Sequence, residues 1–416
     1  MLLRPTMSET DPMNINERRK YLHKMWGRYR NAGKQEKTRL LDEMEAVTGL
    51  HRKSILRTIN GQLSRKKRSR ERGRVYGVDI DDAIRLIARS LDYPCAERLQ
   101  PNLVWMALQL SAHGEIRLLP ETLEKLSRVS TSTLKRILKR VGRSEPKIAN
   151  QKPKHPPSNH LRKPYPMCRI DWNIAEVGHL EVDLVHHCGE STNGEYIHGL
   201  QMVDVASGWC EIVPIFGRSS RTMADGFDYL LARLPFPALE LHPDNGAEFF
   251  NHFLLRYFRQ KLPNLHLSRS RPYQKNDNRF VEENNHSLLR AYLGHDRFDT
   301  QAHLQILRPL YDQLWLYHNL FQPVMRLQAK ETLSPSTYRR IFDPAKPPLD
   351  RLIELQCLND TTRMQLEDLR KKTNPLRLRE QINDLLDQLL SLPTLGHSET
   401  VNVFATLIKE VDLTLR

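Results

Sequence analysis

Apolar residues along this chain recur at helical spacing in some stretches and at strand spacing in others. Within 17–60, Leu40, Leu41, Met44 and Val47 recur about every 3.6 positions, which predicts a helix. Thr48-Gly49-Leu50 reads as a turn. Residues 51–60 form a second predicted helix, with Ile55, Leu56 and Ile59 on one side and Arg52, Lys53, Ser54 and Arg57 on the other. Helix, glycine turn and basic amphipathic helix make a helix-turn-helix pattern, although an ordinary helical hairpin has the same signature. Further helices are predicted over 82–91, 102–112, 120–126 and 132–141. Ser130 or Thr131 is placed to cap the last of these, whose exposed side carries Lys135, Arg136, Lys139 and Arg140. This reads as a second helix-turn-helix unit.

Beyond about residue 171 the period switches repeatedly. Strands are predicted over 179–186, 196–205 and 209–215, a helix over 222–234, and a strand over 238–242. A helix over 247–261, a strand over 265–268 and a helix over 280–293 follow. Three strands, helix, strand, helix, strand, helix is the order of the ribonuclease H-like fold, a mixed five-stranded sheet flanked by helices. Residues 300–320 continue as helix. Prolines interrupt 321–374. In 376–392, Leu378, Ile382, Leu385, Leu386, Leu389 and Leu390 line one face of a helix that could pair with another chain or pack on its own.

The expected fold class is therefore an α/β ribonuclease H-like core preceded by an all-α helix-turn-helix region. The expected parts are a helix-turn-helix region with a basic linker (1–75), a second helical region (76–145) and a Pro/Lys-rich linker (146–169). The core (170–322) and a C-terminal extension (323–416) complete the chain.

Charge adds a partner. Of 416 residues, 64 are Lys or Arg and 49 are Asp or Glu, a formal net charge of +15. The basic residues cluster, as in Ser64-Arg65-Lys66-Lys67-Arg68-Ser69-Arg70, which no core can absorb. Such clusters suit a phosphate backbone, because each contacted phosphate releases counterions. The five scattered cysteines have no CxxC spacing, which argues against a disulfide framework and fits a reducing, cytoplasmic setting. No apolar run reaches a membrane span.

The chemistry is expected at three carboxylates. Asp183 lies in the first predicted strand, where Glu181, Asp183 and Val185 share one face. A carboxylate inside a strand is costly unless a partner or a metal ion offsets it. Asp244 follows the short strand 238–242, at a strand end where α/β folds gather ligands. Glu282 opens the helix 280–293. Helical geometry turns it towards the apolar stripe of Val281, Leu288 and Tyr292, and turns Glu283 towards solvent. Hard carboxylate oxygens suit magnesium or manganese, and three of them hold two ions. Between Asp244 and Glu282, which lie 38 positions apart, Arg269, Arg271, Tyr273, Lys275 and Asn278 are candidate DNA contacts. Arg52, Lys53 and Arg57, the basic run 65–68, and Lys135 with Arg136 are candidates in the helical regions. His186, His187 and Cys188 do not make a zinc site, because neighbours in a strand face opposite ways. His186 or His242 could influence proton transfer near the metals.

The stretches Gly178-His-Leu-Glu-Val-Asp183, His242-Pro-Asp244-Asn-Gly-Ala-Glu-Phe249 and Arg271-Pro-Tyr273-Gln-Lys-Asn-Asp-Asn278-Arg-Phe-Val-Glu282 resemble the catalytic core of DDE insertion-sequence transposases, relatives of retroviral integrases. The resemblance covers about 170–320. It implies an Asp183–Asp244–Glu282 triad holding Mg²⁺ or Mn²⁺, and DNA cleavage and strand transfer. It also implies an N-terminal region that reads the terminal inverted repeats of a mobile element. Partners would then be double-stranded element ends and target DNA, with a homodimer or larger active complex. The zinc-binding N-terminal unit of retroviral integrases is not visible. A DNA-binding protein with a silent core, or a metal nuclease that does not join ends, are the alternatives.

Overall fold

The computed structural model describes residues 13–61, 76–141, 166–168, 170–171, 174–246, 248–271, 277–334, 337–394 and 401–408. The chain divides into two compact units, Met1–Val75 and Tyr76–Arg416.

Among its described residues the first unit holds three helices, α1 (Ile15–Asn31), α2 (Lys34–Thr48) and α3 (Arg52–Ile59). Asn14 and Glu17 form a reciprocal capping box at the start of α1. Gly49, at φ 64°, ends α2 in the left-handed conformation that glycine adopts without strain. Leu22, Met25, Leu40, Leu41, Met44, Ile55 and Ile59 make the core between the helices. Val47, expected on the apolar stripe, is exposed instead.

The second unit begins with α4 (Val78–Ser90), α5 (Ala96–Leu99), α6 (Leu103–Ala112), α7 (Pro120–Arg128) and α8 (Thr131–Val141). The Ser130 hydroxyl caps α8 by accepting from the Thr133 amide at 3.3 Å. Then come β1 (His179–His186), β2 (Ile197–Asp204), β3 (Cys210–Phe216), α9 (Ser220–Arg233), β4 (Glu240–Pro243), α10 (His252–Lys261) and β5 (His266–Leu267). After α11 (Arg279–Asn284) a five-residue π-turn leads into α12 (Arg290–Leu293), then α13 (Gln301–Leu320). The hairpin β6 (Leu327–Ser334) and β7 (Thr337–Phe342) and the helices α14 (Pro348–Glu354), α15 (Asp360–Lys372) and α16 (Pro375–Ser391) follow.

The main sheet is mixed and five-stranded, in the order β3-β2-β1-β4-β5. β1, β2 and β3 form an antiparallel meander, and β4 joins β1 in parallel, with Leu180 beside Leu241 and Val182 beside Pro243. Helices cover both faces. On one, Gly226 of α9 lets the helix approach closely: a Cβ there would stand 3.0 Å from Leu200 and from Ile215. On the other, a Cβ on Gly199 would stand 2.4 Å from the Tyr311 hydroxyl of α13. Residues covered on both faces lose the polar alternation of a half-exposed strand, and β2 and β3 are buried along their whole length. The free edge of β3 is blunted by Asn319, whose side chain accepts from the Cys210 amide at 2.9 Å and donates to its carbonyl at 2.8 Å.

The C-terminal segment folds onto this unit. α16 buries Leu378, Ile382 and Leu389 and packs on α13 and α4, so most of its apolar face is covered by its own chain, while Leu390 stays exposed. Among the described residues, no helix is long and apolar enough to cross a membrane.

Within the sheet unit Glu211 of β3 and Arg233 of α9 form a buried pair at 2.6 Å, which the Trp209 indole N–H supports at 2.8 Å from the carboxylate. Replacing Arg233 with Met leaves that carboxylate buried and uncompensated. The expected cost is about 3–5 kcal/mol, and the double change with Glu211→Gln should recover a large part of it. Urea unfolding of the three variants followed by circular dichroism checks both statements.

Candidate metal and phosphoryl-transfer site

β1 and β4 run in parallel, and one residue beyond their last register pair, Val182 with Pro243, come Asp183 and Asp244. Two carboxylates thus leave the same end of neighbouring strands. Asp183 is half-buried. One of its oxygens accepts from the Leu184 amide at 2.8 Å, the other from the Asn285 side chain at 2.5 Å. Asp244 sits in the Asp-Asn-Gly turn and accepts from the Gly246 amide at 2.7 Å. Glu282 lies in the first turn of α11, its side chain exposed. Burial pushes the Asp183 carboxyl up to about 6, and the charges of Glu282 and Glu248 add to that rise. These acids therefore feel one another. Glu283 pairs instead with Arg98 at 3.7 Å.

Glu248, inside the second motif, is an acid that the sequence pattern does not single out. The predicted helix over 247–261 begins at His252, because Asn251 caps it by accepting from the Leu254 amide at 2.9 Å. Residues 248–250 turn back instead. A Cβ on Gly246 would meet the Glu248 carboxyl at 2.7 Å and the Asp244 carboxylate at 2.9 Å, so the two acids flank one glycine. Arg218 lies 3.9 Å from Glu248. An Asn at a helix start was the available signal.

Hard oxygen donors crowded by like charges fit a divalent cation, which would relieve their repulsion. Among the described residues, Cys168, Glu240 and His242 bring three metal-type ligand atoms within 4.8 Å of one another. There the Ser268 hydroxyl stands 2.5 Å from both His242 Nδ1 and a Glu240 oxygen, satisfying the two groups with no ion. His242 points into this cluster, and burial takes its pKa down to about 4, leaving it neutral. His186 lies on the other side of β1's end, with its ring centroid 4.8 Å from that of His198.

Glu181, two residues before Asp183 on the same face, is 1% exposed. Its carboxylate accepts from the Phe280 and Val281 amides of α11 at 2.7 and 3.0 Å. Burial takes its pKa up to about 7, against the opposing pull of these two hydrogen bonds.

The expected DNA contacts separate into several groups. Lys53 and Arg57 of α3 and Arg136 of α8 are exposed. Arg52 pairs with Asp42 at 2.6 Å, and Lys135 pairs with Glu97. Arg271 grips Asp277 through two hydrogen bonds of 2.8 Å. Arg269 and Asn278, expected at a DNA surface, are instead 7% and 5% exposed. Arg269 donates to Asn245 at 2.9 Å. Asn278, in the orientation that satisfies both ends of its amide, donates to the His242 carbonyl and accepts from the Asp244 amide, each at 3.1 Å. A short polar residue before a helix can turn inward, and here it holds the second acid's backbone. Arg65, Lys66, Lys67, Arg68, Tyr273 and Lys275 lie outside the described residues.

No family model matches the chain. A curated relative, the uncharacterized protein y4rM of Sinorhizobium fredii (strain NBRC 101917 / NGR234), is 32% identical over 328 residues, 78% of this chain and 91% of the relative. Among solved structures, the catalytic core domain of BIV integrase is 20% identical, covering 35% of this chain and 85% of that one, with a TM-score of 0.27.

The buried histidine His198 has no hydrogen-bond partner on either ring nitrogen, and burial lowers its pKa to about 3. Unfolding restores an ordinary value near 6.5, so the unfolded chain binds the proton first. Stability should therefore be fully present above pH 6.5 and fall towards pH 3, by up to about 1.4 kcal/mol per pH unit for this one group. His198→Phe should flatten that slope in metal-free protein, as read by urea midpoints between pH 4 and 7.

Proposed function

This chain belongs to the same family as the uncharacterized protein y4rM of Sinorhizobium fredii, and we propose that it is a DNA strand transferase of the transposase kind. In this reading the mixed sheet with its flanking helices is a ribonuclease H-like core. The observation that carries the reading is the pairing of Asp183 and Asp244 at the same end of adjacent parallel strands, with the Glu282 charge acting on Asp183 from α11. That arrangement supports a site for phosphoryl transfer on nucleic acid, and the +15 net charge supports an anionic substrate.

Asp183, Asp244 and Glu282 would hold Mg²⁺ or Mn²⁺, two ions in all. When bound, such ions activate a hydroxyl nucleophile and stabilise charge on the scissile phosphate. The chain's own residues orient the acids. Asn285 holds one oxygen of Asp183, the Gly246 amide holds Asp244, and the Asn278 side chain fixes the Asp244 backbone. No side chain needs to become covalently attached to DNA. The exposed Lys53 and Arg57 of α3 would contact element ends, and Arg136 of α8 a further stretch of backbone. The protein would act in the cytoplasm, as a dimer or larger complex on two ends.

Purified protein incubated with Mg²⁺ and the labelled DNA that flanks its gene should nick and join that DNA at defined positions. Asp244→Asn should lower the rate by about three orders of magnitude or more while leaving DNA binding intact. Cutting without joining would favour a nuclease, and binding without products a silent core. Replacing Lys53 and Arg57 together with Ala should weaken binding to the same DNA and reduce the salt dependence of its affinity by about two counterions. An unchanged salt slope in a filter-binding titration would remove α3 from the interface.

A further inference from the structure

Helix α11 is short, and its start lacks the usual local support. Asn278 precedes its first turn but gives it no side-chain cap, since that side chain is turned to β4. The first amides of a helix have no partner within it. Here the missing acceptor comes from 99 and 100 residues earlier in the chain: one Glu181 oxygen takes the Phe280 and Val281 amides at 2.7 and 3.0 Å.

The position of this cap matters more than its existence. Glu181 is two residues before Asp183 and projects from the same face of β1. Val281 is the residue before Glu282. One side chain therefore spans from the strand of the first acid to the helix of the third. The same strand face meets the helix again at Asp183, which accepts from Asn285. Glu282 lies between these two attachment points. A third element closes the arrangement. Phe280 is held between Arg279 and Arg326, whose guanidinium carbons lie 4.5 and 4.4 Å from its ring centroid. Arg326, from the segment leading into β6, also donates to the Asp204 carbonyl of β2 at 2.8 Å and places its charge in the field of Glu181.

We propose that Glu181 is a positioning residue for the third acid, fixing the Glu282 helix on β1 so that Glu282 meets Asp183 and Asp244 at one metal centre. The role depends on reach, because an acceptor must span from the strand to two amides. It does not depend on touching DNA or metal. It rests on the reading of Asp183, Asp244 and Glu282 as ion ligands.

Two conservative variants separate reach from charge. Glu181→Gln keeps the length and an acceptor oxygen and loses the charge. Glu181→Asp keeps the charge and is one methylene short. Four quantities are measured on the full chain: hydrogen exchange at the Phe280 and Val281 amides, Mn²⁺ affinity by titration calorimetry, the Mn²⁺ needed for half-maximal nicking, and KM for DNA. The expected result is that Glu181→Gln stays within threefold of wild type in all four. Glu181→Asp should speed exchange at both amides at least tenfold and weaken Mn²⁺ binding about tenfold, with KM for DNA unchanged. Wild-type Mn²⁺ affinity in Glu181→Asp would overturn the proposal, as would equal losses in both variants. An Asp183→Asn control tells this failure from the other. If wild type and Asp183→Asn bound Mn²⁺ equally, the metal-site reading would fall and the role of Glu181 with it.

Discussion

Strand β1 is bonded antiparallel to β2 on one side and parallel to β4 on the other, and the rest of the site depends on that change of direction. An antiparallel neighbour would have put its start, not its end, beside Asp183. With β4 parallel, two strand ends and the turns that follow them open at the same place. The two acids follow from the register, Val182 beside Pro243. β4 must also return parallel to β1 after α9, and the close approach of α9 at Gly226 belongs to that return.

The interior of this unit holds several carboxylates, and the way each is compensated distinguishes structure from chemistry. Glu211 has Arg233. Asp204 accepts from the Ser207 amide and hydroxyl and from the Gly178 amide. Glu181 has two helix amides. Asp183 has an amide and an Asn side chain, yet it faces two further acids. Among the described residues these acids have local partners, whereas Asp183 also stands in the field of Glu282 and Glu248, an arrangement that favours the uptake of positive charge.

Much of this could be read from the sequence. The predicted strand over 179–186 coincides with β1, because Leu180, Val182 and Leu184 alternate with acids that only a special environment tolerates. The sheet elements come in the expected order, although only β1, β2 and β3 are long enough to carry a period of their own. Side-chain direction outside regular structure was harder to read. Asn278 and Arg269 sit among basic and polar residues that look like a surface loop, and nothing local reveals that β4 waits beneath them. Glu181 looked like a cost awaiting a metal, because its partners are backbone amides nearly a hundred positions away. The β6–β7 hairpin lies in the proline-interrupted stretch, and its described residues are mostly exposed, with no apolar alternation to announce a strand.

Helix α16 adds a constraint on how the molecule forms. It packs on α4, the first helix of the sheet unit, and on α13. Among the described residues, the first and last α-helices of this unit thus share a contact that local structure cannot nucleate. Such long-range closure is slow, and partly folded chains expose apolar surface while they wait. During synthesis α4 would emerge long before the helix that covers it. Strand β1 and helix α11 would both have emerged before α16, so the Glu181 cap between them can form while the apolar surface under α16 is still uncovered.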